Sequence, residues 1–257
     1  MTNVEFLQLV KTVDRLLSKN GCKWDRSQDL LTLRGFVLEE ALELIDALER
    51  KDIDQIEEEL GDILYQIIFI SRLTKKRGSL KRTIKGIRKK LIGRHPHIFK
   101  EKRDISSDEV VKKWEEIKIK EKKAESIGYG ILRTFPALLS AYKLGVRSES
   151  FNFDWDNIEQ VFDKLNEEIE ELKAELRKKR RDQSAIEYEI GDVLFVIANI
   201  ARHLGINPEI ALRKTNRKFI RRFDEMHRLI NENNKDIKKL NIDEMESYWQ
   251  LAKRHTD

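Results

Sequence analysis

Glu59-Leu60-Gly61-Asp62-Ile63-Leu64-Tyr65 recurs as Glu189-Ile190-Gly191-Asp192-Val193-Leu194-Phe195, and this repetition sets the organisation of the chain. In each copy an acid pair leads into a run of apolar residues with helical spacing. The preceding block repeats as well, with Leu38-Glu39-Glu40-Ala41-Leu42-Glu43-Leu44 matched by Asn166-Glu167-Glu168-Ile169-Glu170-Glu171-Leu172. Downstream, Lys90-Leu91-Ile92-Gly93-Arg94 parallels Lys218-Phe219-Ile220-Arg221-Arg222, and Trp114 with Lys118 is echoed by Trp249 with Lys253. Trp24-Asp25 precedes the first acidic helix as Phe153-Asp154-Trp155 precedes the second. Blocks in one order, at offsets of 128 to 135 residues, mark a tandem duplication. The expected fold is all-α, two tandem helical-bundle modules spanning 1–125 and 126–257. The charge-dense Lys118–Lys123 and then Gly128-Tyr129-Gly130, ahead of Pro136, mark the junction.

Composition supports helices. Only 3 Pro and 11 Gly punctuate 257 residues. Charged residues make up 38%, and 51 basic against 46 acidic side chains leave a net charge of +5. That balance is too even to mark a nucleic-acid binder, so nucleic acid is not an expected partner. Cys22 is the only cysteine, which excludes an internal disulfide and a four-cysteine zinc site; it is read as inert packing. Met1–Glu5 lacks the basic and apolar stretches of a signal peptide. Ile63–Ile70, interrupted by Gln66, is far shorter than the roughly 20 residues of a membrane span. A cytoplasmic protein with no membrane partner is expected.

Helix boundaries are legible. Ser106 with Glu109 and Asn241 with Glu244 match the capping pattern that satisfies orphan amides at a helix start. Gly205 followed by Asn207-Pro208 reads as one helix stopping and another beginning. Within Phe36–Leu48 the apolar residues Leu38, Ala41, Leu42, Ile45 and Leu48 form the expected buried stripe, with the glutamates on the other side.

The acids carry the chemistry. Residues three or four apart share a helix face, so Glu40 projects with Glu43 and Glu59 with Asp62, as do Glu168 with Glu171 and Glu189 with Asp192. Antiparallel packing of each helix pair brings four carboxylates together, an arrangement that like-charge repulsion disfavours unless a cation relieves it. Oxygen-only ligands suit Mg²⁺, with Mn²⁺ as a substitute. An isolated glutamate run is most often a solvated helix face. The apolar run after Asp62 and Asp192 tips the balance, because it predicts helices buried on most sides with acids at their mouths. A di-iron bundle would use Glu-x-x-His pairs, and the sequence has none.

Lys90 with Arg94, and Lys218 with Arg222, place cations downstream of each acidic pair, as an anionic metal-chelated substrate would require. Trp114 with Lys118 and Trp249 with Lys253 could clamp a nucleobase and a phosphate, although a terminal-helix Trp is more often a core anchor. His95-Pro96-His97 is read as structural, since Pro breaks the spacing that would converge two rings. No glycine-rich phosphate loop is present, so phosphate binding must work through metal and side chains.

Taken together these residues resemble the MazG family of nucleoside triphosphate pyrophosphohydrolases. In the first module the resemblance rests on Cys22-Lys23-Trp24-Asp25, Leu38-Glu39-Glu40, Glu58-Glu59-Leu60-Gly61-Asp62 and Arg94-His95-Pro96-His97-Ile98-Phe99. In the second it rests on Phe153-Asp154-Trp155, Glu167-Glu168 with Glu171, Glu189-Ile190-Gly191-Asp192, Lys218-Phe219 and Arg222-Phe223. The resemblance implies hydrolysis of a nucleoside triphosphate to a monophosphate and pyrophosphate, in a four-helix core usually completed by a homodimer. It implies Glu168, Glu171, Glu189 and Asp192 as metal ligands, with Glu40, Glu43, Glu59 and Asp62 as their first-module counterparts. Lys218, Arg222, Trp249 and Lys253 would hold the nucleotide, matched by Lys90, Arg94, Trp114 and Lys118. Glu167 and Glu39 are the candidates to orient the attacking water. The sequence departs from the family at Lys23, which stands where Pro is usual, and at Asn166 and Tyr188, which replace flanking Leu and Glu. The other readings are a non-catalytic nucleotide sensor and a helical interaction protein.

Overall fold

The computed structural model describes residues 2–74, 79–100, 103–106, 109–110, 113–114, 117, 127–128, 131 and 134–256; Lys118 lies outside them. The chain divides into two compact units, Met1–Ser106 and Ser107–Asp257. Among the described residues every regular element is helical.

The first unit contains α1 (Thr2–Leu16), α2 (Lys23–Ser27), α3 (Leu33–Arg50), α4 (Ile53–Leu73), α5 (Leu80–Arg94) and α6 (Pro96–Phe99). A two-residue link, Lys51-Asp52, turns α3 into α4. Lys51 adopts φ 58° and its N–H returns to the end of α3, while the Asp52 carboxylate accepts the Gln55 N–H at 3.2 Å. A left-handed stop followed at once by a side-chain cap leaves no slack, so the two helices run back along each other. α1 lies against α4, and Val13, Leu33, Ile68 and Phe69 form the buried centre of the unit.

The lead-in is pinned to α4 by a polar contact. Asp25 is 7% exposed, and the Tyr65 hydroxyl donates to its Oδ1 at 3.1 Å. Burial, then the Asp25 charge, push the Tyr65 hydroxyl up to about 12, so it stays a donor. Beside it Trp24 meets Phe36 edge to face at 5.7 Å. Tyr65→Phe removes the donor and is expected to cost about 1–2 kcal/mol in urea unfolding. An unchanged midpoint would show that this bond does not secure the lead-in.

The second unit contains α7 (Ala137–Glu149), α8 (Ile158–Arg177), α9 (Gln183–His203), α10 (Pro208–Glu232), a 3₁₀ turn (Ile237–Lys239) and α11 (Ile242–Thr256). The stop and start signals act as the sequence indicates. Gly205 takes φ 68°, Asn207 Oδ1 accepts from Glu209 and Ile210, and Asn241 and Glu244 cap each other at 2.9 and 3.2 Å. α8 and α9 pair, α7 lies on α9, and α10 pairs with α11 around Met226, Ile230 and Ala252.

One joint in this unit is polar. Arg202 of α9 is almost fully buried and reaches Asp154 at 2.9 Å, Glu149 at 3.3 Å and Asn199 at 3.1 Å. Gly145 of α7 makes room for it, because a Cβ there would stand 2.2 Å from Asn199 Oδ1 and 2.7 Å from Arg202 Nε.

The helices bury a different face from the one the apolar stripe suggests. On α3, Leu38 is 62% exposed, and Leu42 and Leu48 are exposed too. The packed face is Leu33, Phe36, Glu40, Leu44 and Ala47, which turns Glu40 in towards α4 while Glu39 and Glu43 stay exposed. Both faces hold apolar residues, and Leu33 and Phe36 join the core that α1 and α4 build around Val13, Ile68 and Phe69. Likewise α4 and α9 are not buried on most sides: Leu60, Ile67, Leu194, Phe195 and Ile197 stay exposed.

Candidate metal centre

Each helical hairpin gathers acids at its middle. In the first unit Glu40 and Glu43 of α3 and Glu59 of α4 offer carboxylate oxygens that all lie within 4.8 Å of one another. In the second unit Glu168 of α8 and Glu189 and Asp192 of α9 do the same. The fourth acid of each set stands outside its triad yet acts on it: Asp62 on Glu40 and Glu43, and Glu171 on Glu189. Glu59 and Glu168 are buried, Glu40 and Glu189 half-buried, and Glu43, Asp62, Glu171 and Asp192 exposed.

The electrostatics show the strain of this crowding. Burial first, then Asp62, Glu43 and Glu59, push the Glu40 carboxyl above the usual range. Glu43 is raised by burial and then by Glu59, and Glu189 by burial and then by Glu171, Glu168 and Asp192. One oxygen of Glu189, Oε2, is buried and accepts no hydrogen bond. An unsatisfied buried carboxylate oxygen facing other carboxylates is a position that a cation completes. With oxygen the only donor, the fitting ion is a hard divalent cation.

The second centre holds a residue that the sequence reading passed over. Lys164 Nζ lies 2.8 Å from both Glu167 and Glu168, and these bonds raise its pKa. The signal was present as Lys164 followed at three and four residues by glutamates, a spacing that favours ion pairs on a helix. At the matching place α3 carries Phe36, so the two centres differ in their resident charge. Glu167 and Glu39, the candidate water-orienting acids, are both exposed.

The cationic and aromatic candidates of the second unit lie on α10 and α11. Lys218 is exposed and Arg222 half-buried. Phe219 connects the two helices, 5.3 Å from the Trp249 ring and stacked on Phe223 at 6.1 Å. Trp249 also packs on the Met226–Ile230–Ala252 core, so it anchors α11 while remaining only half-buried; Lys253 follows one turn later, half-buried as well. In the first unit Lys90 is exposed on α5 and Arg94 is half-buried; Trp114, half-buried, falls beyond Ser106 in the second unit, and Lys118 is not described. His97 is buried and His95 Nδ1 lies 2.6 Å from the Leu91 carbonyl; among the described residues neither joins an acidic cluster. Among the described residues no helix is long and apolar enough to cross a membrane.

The sequence profile of the MazG nucleotide pyrophosphohydrolase domain matches the chain twice, over residues 28–99 and 157–227. Each match spans one complete set of four acids together with its Lys-Arg pair, and stops short of Trp114 and Trp249. The chain is 39% identical over 255 residues to the nucleoside triphosphate pyrophosphohydrolase of Escherichia coli strain K12, covering 94% of this chain and 97% of that protein. It is 38% identical over 252 residues to the nucleoside triphosphate pyrophosphohydrolase/pyrophosphatase MazG of Thermotoga maritima, covering 96% and 95% respectively. A third relative, the uncharacterized protein YabN of Bacillus subtilis strain 168, is 33% identical over 253 residues, 97% of this chain and 52% of that one.

Proposed function

Because the chain belongs to the MazG nucleotide pyrophosphohydrolase family and is a nucleoside triphosphate pyrophosphohydrolase, we propose that its paired carboxylates hold Mg²⁺ against the triphosphate. The observation that carries this reading is the convergence of three carboxylates within 4.8 Å on the same hairpin in both units. Glu168, Glu171, Glu189 and Asp192 would hold the ion in the second module, and Glu40, Glu43, Glu59 and Asp62 in the first, with Mn²⁺ an effective substitute. The ion supplies Lewis-acid charge to the phosphates at the bond that breaks.

The remaining work falls to the chain's own residues. Glu167 and Glu39 orient the water and take its proton as it attacks the α-phosphorus. Lys218 and Arg222 neutralise the departing pyrophosphate, and Trp249 with Lys253 holds the nucleotide; Lys90, Arg94, Trp114 and Lys118 repeat these roles in the first module. We place the modules at 1–125 and 126–257. A homodimer is the working form, because Leu38, Leu42 and Leu60 on the acidic hairpin are large, apolar and exposed. An exposed lone cysteine, Cys22, fits a reducing cytoplasm.

Product analysis tests the proposal. Incubation with ATP and Mg²⁺ or Mn²⁺ should release AMP and pyrophosphate in equal amounts, and EDTA should stop both. Binding without product would identify a nucleotide sensor instead.

The raised carboxylates give a second test. Each of them keeps its proton to higher pH in the folded state than in the unfolded state. The metal-free protein therefore loses stability as pH rises from the ordinary carboxylate value through the raised one. A saturating divalent cation removes that penalty only where the acids are ionised. At a hundredfold excess over its dissociation constant, Mg²⁺ is expected to raise the Tm by roughly 5–10 °C at pH 7.5. Near pH 4 the shift should vanish. A shift of equal size at both pH values would mean that the ion binds elsewhere.

A further inference from the structure

The turn between α8 and α9 carries five consecutive cations, Arg177, Lys178, Lys179, Arg180 and Arg181, all exposed. The corresponding turn between α3 and α4 has only Arg50 and Lys51 before Asp52, and Arg50 is paired with Asp46 at 2.8 Å. In the longer turn Lys178 engages Glu175, and Arg181 Nε donates to the Leu176 carbonyl at 3.1 Å. Among the described residues no hydrogen bond or ion pair engages Lys179 or Arg180. Two full charges therefore stand in solvent at the tip of the hairpin that carries the acidic centre.

Their distance from that centre matters. Arg177 follows Glu168 by nine residues and Asp182 precedes Glu189 by seven, which at 1.5 Å rise per residue sets the tip about 10–14 Å away. That is little more than one Debye length at 0.1 M salt, so the charges are felt at the centre in dilute buffer and screened in concentrated salt. A nucleoside triphosphate is a polyanion that must approach the like-charged cluster of Glu168, Glu189 and Asp192. We propose that Arg177–Arg181 is an electrostatic capture loop that draws the polyphosphate substrate to the second module, without touching the reacting atoms. This inference rests on the acids being the metal site. It also makes the two modules unequal, since the first lacks the loop.

The test uses the full chain with Glu59→Gln and Asp62→Asn in the first module, so that turnover reports the second. Lys179→Glu with Arg180→Glu reverses the two unengaged charges and leaves the Lys178 and Arg181 contacts in place. With ATP and saturating Mg²⁺, kcat/KM is expected to fall about tenfold at low ionic strength, and the serine pair Lys179→Ser, Arg180→Ser to fall less. At about 0.5 M salt parent and variants should converge, with kcat equal throughout. Equal kcat/KM at low salt, a deficit that persists at high salt, or a loss in kcat would overturn the capture loop while leaving the metal site standing. A parent that releases no pyrophosphate with Mg²⁺ would instead overturn the metal-site reading, and the loop with it.

Discussion

Replacing Glu59 and Glu189 by Gln and Asp62 and Asp192 by Asn in one chain is expected to lower pyrophosphate release on the order of 10³-fold while raising the thermal midpoint of the metal-free protein. The two effects have one cause. These side chains stand among like charges: burial and neighbouring acids hold Glu40, Glu43 and Glu189 above the ordinary carboxylate range, and Glu189 Oε2 is buried without a hydrogen bond. Amides of the same shape end the repulsion and also end the grip on a cation, whose loss removes the main charge stabilisation of the transition state. Activity is measured as pyrophosphate released from ATP, and stability by thermal unfolding in EDTA. If the variant lost activity and melted earlier than the parent, the acids would be structural members of the hairpin.

Arg202→Ala is expected to cause the largest loss of stability of any single change considered, about 3–5 kcal/mol. The Arg202 side chain is 6% exposed and Asp154 only 16%, and Asp154, Glu149 and Asn199 all bond to the one guanidinium. Removing it leaves the half-buried Asp154 carboxylate with only the His203 ring, 3.4 Å away, and opens a void beside Gly145. Arg72, which stands at the matching place in the first unit, pairs instead with Asp14, their side chains 30% and 50% exposed, so Arg72→Ala should cost no more than about 1 kcal/mol. Gly145→Ala drives a methyl group into Asn199 and Arg202 and should also destabilise; its cost should shrink only in part in the Arg202→Ala background, where the guanidinium is gone but the 2.2 Å approach to Asn199 Oδ1 remains. Chemical unfolding of the parent and these four variants checks this. Equal costs for Arg202→Ala and Arg72→Ala would show that the buried network contributes nothing beyond a surface pair.

The parts of the fold that local chemistry fixes were legible in the sequence. Gly205, Asn207-Pro208 and the Asn241–Glu244 box act as written because capping involves residues within one turn. The duplication and the pairing of acids across each hairpin follow from spacing and a short link. The inward face of α3 was not legible. Leu33, Phe36, Leu44 and Ala47 compete with Leu38, Leu42 and Leu48, and only the positions of α1 and α4 decide between them. Arg202 was equally hidden, since its partner Asp154 lies 48 residues upstream and nothing local marks a buried guanidinium. Lys164 was readable from its i, i+3 and i, i+4 glutamates, a local spacing that needs no tertiary information.

Calorimetric titration of the metal-free full-length chain with Mg²⁺ at pH 7.5 tests the central claim most directly. The parent should bind at least one ion in each module. The chain carrying Glu59→Gln, Asp62→Asn, Glu189→Gln and Asp192→Asn together should give no binding heat. Identical isotherms for the two proteins would contradict the assignment of these carboxylates as the metal centre.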